Sequence, residues 1–222
     1  MNAQRLLVDE SNLSAAAHMI LDERLALEAK PTVRCFTWSP PAISLGFKQE
    51  PPVWLAASGW RSGGFELVER PTGGGIAFHG SDVSISVVAP RRAGVSPHAL
   101  VSEVCDSVTR LCRAYGLEAT TDLVSGQTSR VTYCLTQSSP YAVFVYGRKV
   151  AGFALRRFPD SWLVQGSLLV RPLPTALAGA LPQDVRDQLA KRAVPLSALA
   201  VGWVDEAEVA QRWASEWQEV VG

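Results

Sequence analysis

Hydrophobic and polar positions along the chain follow two periods. From residue 82 to 89, Val83, Ile85 and Val87 fall on one side and Ser84 and Ser86 on the other. That two-residue period predicts a strand with one buried face. Apolar runs of strand length also cover 33–39, 43–47, 65–69, 141–146, 149–155 and 162–170. The pair 141–146 and 149–155 reads as a hairpin turning at Gly147-Arg148. Helical spacing covers 15–29, with Ser14 as N-cap and Lys30-Pro31 as the stop. A longer helix opens at Ser96-Pro97 and runs to Tyr115, where Gly116 ends it. Beyond Pro172 the period is helical over 183–191, 196–199 and 206–220. Pro40-Pro41 separates two strands, Pro51-Pro52 opens a loop or short helix with Trp54 and Trp60, and Gly63-Gly64 closes it. No repeat and no linker interrupts the pattern. The expectation is one domain over 1–222, of α+β class: a mostly antiparallel sheet backed by helices, with a helical C-terminal part over 173–222.

Composition narrows the function classes. The 222 residues carry 21 Lys and Arg against 21 Asp and Glu, and 47% are hydrophobic. Balanced charge gives no field to favour nucleic acid or a membrane surface, and no apolar stretch reaches spanning length. The start, MNAQRLLVDES, has no basic region followed by an apolar run, so no signal peptide is expected and the setting expected is the reducing cytoplasm. Cys35, Cys105, Cys112 and Cys134 show no CxxC spacing and no zinc-like histidine partners, so no metal is expected. Cys105 and Cys112 lie inside the long helical pattern as core residues. Cys134 remains as a free thiol.

Lys149 follows Cys134 by fifteen residues, across the predicted hairpin. An ammonium beside a cysteine favours the thiolate, which is the nucleophile. The bland alternative is a small buried Cys134 and a surface Lys149. A second candidate is Arg70-Pro71-Thr72-Gly73-Gly74-Gly75, leading to His79. Consecutive glycines let a backbone approach a ligand and aim several N–H groups at it. No Gly-Lys-Ser/Thr follows, and strand-like sequence comes next, so neither a P-loop nor a dinucleotide fingerprint is present.

Together, RCFTWSPPAISLGFKQE, ERPTGGGIAFHGSDVSISVVAP, YGRKVAGFALRR and VQGSLLV, in this order over residues 5–170, resemble the lipoate–protein ligase / octanoyltransferase superfamily, which includes biotin protein ligases. Cys134 in the loop before the lysine hairpin is similar to the LipM-type octanoyltransferase branch, whose members hold an octanoyl group as a cysteine thioester. The resemblance implies catalytic roles for Cys134 and Lys149 and substrate contacts from Arg70, Thr72, Gly73, Gly74, Gly75, His79, Gly152 and Ala154. It implies octanoyl-acyl carrier protein as donor, a lipoyl-carrier domain (H protein or a dehydrogenase E2 subunit) as acceptor, and no cofactor. Arg91-Arg92, Arg156-Arg157 and Lys191-Arg192 are candidate docking pairs for an acidic carrier. A buried octanoyl tail would contribute roughly 5 kcal/mol at about 0.8 kcal/mol per CH₂.

The chain also departs from that branch. It has Gly74-Gly75-Ile76-Ala77 where Gly-Gly-Arg-Ala is usual, Phe153 where Ser or Asn is usual, Gln165 for a histidine, and Ala142 for an acidic residue. Phe153 is expected to narrow the pocket. The triple glycine is more ligase-like, so an ATP-dependent lipoate ligase stays open beside the transferase, as do an octanoyl amidotransferase and a non-catalytic homologue.

Overall fold

The computed structural model describes residues 5–9, 13–56, 63–91, 96–123, 132–137 and 141–221. Trp60 and Arg92 lie outside these residues, as does most of the loop predicted before Cys134.

Seven strands form the main sheet. They are β1 (Arg5–Asp9), β2 (Thr32–Phe36), β6 (Asp82–Pro90), β7 (Ala119–Asp122), β8 (Ala142–Val145), β9 (Arg148–Arg157) and β10 (Ser161–Leu169). Their order is β1-β2-β6-β10-β9-β8-β7. Only β1 on β2 is parallel, so the sheet is mostly antiparallel as expected. A second sheet, ordered β4-β3-β5, comprises β3 (Ala42–Leu45), β4 (Glu66–Glu69) and β5 (Ala77–His79).

Helices cover both faces. On one face α3 (Pro97–Ala114) and α6 (Glu206–Val221) pack over Val83, Ile85 and Val87. Ser96 caps α3 by accepting from the Ala99 N–H, and Gly116 ends it at φ +73°. Cys105 and Cys112 are buried there, as their helical spacing predicts. On the other face lie the small sheet and α1 (Ala15–Leu27). The short α2 (Val53–Ala56) carries Trp54, and α4 (Thr175–Ala180) and α5 (Gln183–Arg192) close the small sheet's outer side through Leu177, Leu181 and Val185. Segment 196–199 makes a single 3-10 turn, Leu196–Ala198, rather than a helix.

Two sequence expectations change. The serine face of β6 is not in solvent: Ser84 is 3% exposed and Ser86 1%, because the small sheet and α1 cover it. Alternation reports polarity, and here the polar side faces a buried site. The hairpin turns at Tyr146-Gly147, both at positive φ (49° and 73°), one residue earlier than predicted. That pair of left-handed residues suits the twist of a two-residue hairpin.

Candidate active site

The glycine loop bridges the two sheets, and Arg70 holds it. The guanidinium donates to the carbonyls of Gly73 (2.9 Å) and Gly75 (2.5 Å), and to Ser44 at both its carbonyl and hydroxyl (3.1 Å each). Gly74 sits at φ +94°, and a Cβ there would stand 3.1 Å from the Arg70 Nη2, so conformation and space both demand glycine. The loop continues into Ile76, whose N–H donates to Thr132 O and whose carbonyl accepts from the Cys134 N–H, both at 2.8 Å. The loop and the cysteine segment are therefore clipped side by side.

Lys149 reaches the same point by a change of register. Plain alternation along β9 would place Lys149 on the face opposite Gly152 and Ala154. The pairing of β8 with β9 slips between Val143 and Phe144, so that Val143 opposes Ala151 while Phe144 opposes Lys149. Such a bulge adds one unpaired residue, here Val150, and re-aims the side chain beside it. Lys149 is 2% exposed, and its ammonium donates to the carbonyls of Cys134 (2.7 Å) and Gln137 (3.3 Å). A Cβ added to Gly152 would lie 3.0 Å from Lys149 Cε, 3.2 Å from its Nζ and 3.1 Å from Cys134 Sγ. Sulfur and ammonium thus converge on one glycine. Burial pushes the Lys149 pKa down, while the charge that Cys134 can carry, together with Asp122 and Cys105, pulls it back up. Arg70 is likewise lowered by burial and raised by Cys134, so two cations face the sulfur.

Cys134, half-buried, lies in the wall of a cavity of about 70 Å³ between the sheets. Arg70, Gly74, Gly75, His79, Gly152 and Ala154 line it as well. Thr72 and Gly73 do not. Thr72 is turned inward, and its N–H and hydroxyl both donate to Gln165 Oε1 (3.3 and 2.7 Å). Gln165 in turn donates to Asp22 (2.7 Å), which is ion-paired with Arg34. Burial pushes the Asp22 carboxyl up, against the opposing pull of Arg34 and Gln165. His79 is held at both nitrogens, by Asp82 (2.7 Å) and Ser44 (2.8 Å), and stacks on Trp38 at 4.0 Å. Burial would raise Asp82, but His79, Ser167 and the Gly80 N–H together hold it below the usual carboxylate range.

The sequence reading missed Ser44, Ser84, Ser167 and Trp38 in this wall. Trp38 donates to Ser84 (2.9 Å), and Ser84 and Ser167 donate to Asp82. The hydroxyls and amide of Ser44, Ser84, Ser167 and Gln165 are therefore all bonded within the protein, to Arg70 and His79 in the wall and to Asp82, Thr72 and Asp22 behind it. What they present to the cavity is mainly carbon. Phe153 contributes to the cavity wall, but its ring lies over Gly166 and edge-on to Trp213, packed in the core under α3 and α6. Of the basic pairs, Arg156 donates to Pro71 O (2.7 Å) and stacks over Phe47 at 3.7 Å, next to the glycine loop. Arg91 stacks over Trp162, and Lys191 and Arg192 are exposed.

Known proteins resemble this chain in sequence and fold. A family described as "Lipoyl protein ligase A/B catalytic domain" matches residues 13–217. A relative named octanoyltransferase LipM from Symbiobacterium thermophilum is 30% identical over 74% of this chain and 64% of its own length, so the match spans less than two thirds of that protein. A protein of the same name from Kyrpidia tusciae is 29% identical over 94% of this chain and 84% of its own. Among solved structures, a bipartite lipoate protein ligase from Thermoplasma acidophilum superposes with a TM-score of 0.66 at 19% identity, covering 98% of this chain and 83% of that one. That likeness carries the fold alone.

Proposed function

Because this chain belongs to the lipoyl protein ligase A/B catalytic-domain family, we propose that it is an octanoyltransferase working through a Cys134 thioester. The observation that carries the reading is the convergence of Cys134 Sγ and Lys149 Nζ on Gly152, at a cavity whose wall serines and Gln165 already have hydrogen-bond partners in the protein. Such a cavity suits a tail with no polar end.

In the first half-reaction Cys134 Sγ attacks the carbonyl carbon of an octanoyl thioester carried by acyl carrier protein. The new S–C bond replaces the old one, and the carrier sulfur leaves as a thiol with the proton of the Lys149 ammonium. Backbone N–H groups at Gly74 and Gly75 would hold the oxyanion; one such donor is typically worth about a hundred- to thousandfold in rate. In the second, the ε-amine of a lysine on a lipoyl-carrier domain attacks the acyl-cysteine. An amide forms, the C–S bond breaks, and Sγ returns as thiolate.

Lys149 serves both steps through one electrostatic coupling. While the sulfur is a thiolate, its charge favours the ammonium. Acylation removes that charge, and burial then pulls the lysine pKa lower. Lys149 becomes the better base when the attacking amine must lose a proton. Thioester-to-amide transfer runs downhill, so no nucleotide is invoked. The test is transfer from octanoyl-acyl carrier protein to a lipoyl-carrier domain without ATP, beside a parallel reaction with lipoate and ATP. The proposal expects product in the first; product in the second alone makes the chain a ligase.

A further inference from the structure

We infer that Cys134 and Lys149 form a modification site, at which a peroxide joins Sγ and Nζ in a covalent sulfur–nitrogen bond that thiols reverse. The link needs only the placement of the pair, and it forms whether or not an acyl group ever occupies the sulfur.

Gly152 leaves the gap in which the two groups meet. Sγ and Nζ stand 3.1 and 3.2 Å from the point a Cβ would take there, so no side chain separates them. The nitrogen is also fastened to the cysteine's own turn. It donates to the carbonyls of Cys134 (2.7 Å) and Gln137 (3.3 Å), and Gln137 Oε1 closes that turn by accepting from the Thr132 N–H at 2.5 Å. Amine and thiol are thus held against one short segment. Cys134 is half-buried in the cavity wall, where a small oxidant can reach it. Cys35, Cys105 and Cys112 are fully buried, and burial pushes their thiols up to about 12, which keeps them out of the reactive thiolate form.

The chemistry balances with a peroxide alone. The Cys134 thiolate attacks one peroxide oxygen, an S–O bond forms, and the O–O bond breaks. The hydroxide that leaves takes the first proton of the Lys149 ammonium and becomes water. The sulfenic acid is neutral, so the negative charge favouring the ammonium is gone and burial favours the free amine. Nζ then attacks sulfur, an S–N bond replaces the S–O bond, and the departing hydroxide carries off a second proton as water. Sulfur has lost two electrons and the peroxide has gained them. An added thiol reverses the link by attacking sulfur and releasing the amine, and a second thiol frees Cys134. While linked, the site has neither nucleophile nor base, and the sulfur is shielded from irreversible oxidation to sulfinic acid.

The test treats the full chain, Lys149→Met and Cys105→Ser with hydrogen peroxide and reads intact mass, peptide maps and acyl transfer. The parent should become two hydrogen atoms lighter, with the Cys134 and Lys149 peptides joined and transfer lost. Dithiothreitol should restore both mass and transfer. Lys149→Met should instead gain two oxygen atoms, which dithiothreitol does not remove. Cys105→Ser should lose two hydrogen atoms as the parent does. A parent that only gains oxygen overturns the proposal, as does a loss of hydrogen that vanishes in Cys105→Ser and so marks a disulfide. ortho-Phthalaldehyde, which joins a neighbouring thiol and amine in a fluorescent isoindole, separates this site from the transfer mechanism. An isoindole without a peroxide link keeps the catalytic pair and overturns the modification site. A peroxide link in a chain that never takes up octanoyl upholds the site and faults the acyl reading.

Discussion

The two faces of the main sheet are equally dry and chemically opposite. Under α3 and α6, Val83, Ile85, Val87, Cys105, Leu111 and Trp213 pack as a mainly carbon and sulfur core, in which the Trp213 indole N–H donates to the buried Ser107 hydroxyl at 2.8 Å. Against the small sheet, the same strands present Ser84, Gln165 and Ser167, buried or half-buried and bonded to Asp82, Asp22 and Thr72. The first face answers to volume, so its failures are cavities. The second answers to hydrogen-bond partners, so its failures are orphaned donors and acceptors, each costing about 1–3 kcal/mol. A site can sit only on the second, where small side chains leave room and their polar atoms are already satisfied.

Substitutions should break this contrast in graded ways. Cys134→Ser should abolish the hydroxylamine-sensitive octanoyl adduct while leaving the circular dichroism spectrum unchanged. Trp213→Ala, on the carbon face, should cost about 3–5 kcal/mol in urea unfolding while the fraction still folded retains acyl transfer. Lys149→Met should do the reverse, keeping the fold and slowing transfer by about 10²–10⁴-fold in single-turnover kinetics. Thr72→Val leaves Gln165 Oε1 only the longer bond from the Thr72 N–H and should cost about 1 kcal/mol, with a rise in KM as the glycine loop loosens.

The smallest effect is a pH slope. Lys149 has a folded pKa below the ordinary lysine value of about 10.4. Between that depressed value and the ordinary one the unfolded chain holds the extra proton, so stability should rise with pH. Urea midpoints collected from pH 8 to pH 10 should show a rise in the parent that Lys149→Met lacks.

How much of this the sequence discloses follows from what each feature needs. The central strand, the hairpin, α3 with its serine cap and the glycine loop all have local signatures, and all are present. The edge strands β1, β5 and β7 are three to five residues long, too short for a period to show. The bulge at Val150 uses no glycine and leaves no mark, yet it turns Lys149 toward Gly152. The serines of β6 appear in the alternation as a polar face, but the sheet that covers them comes from residues 42–79. Trp38 falls past the end of β2 and meets Ser84 only through the fold. Thr72 lies in a recognisable motif, and only the structure turns it away from the cavity toward Gln165.

The most direct measurement is intact mass after mixing the protein with octanoyl-acyl carrier protein, followed by peptide mapping. The account predicts one added octanoyl group, removed by hydroxylamine, mapped to the peptide holding Cys134 and absent from Cys134→Ser. An adduct that survives that substitution, or transfer to a lipoyl-carrier domain by Cys134→Ser at the parent's rate, would contradict it.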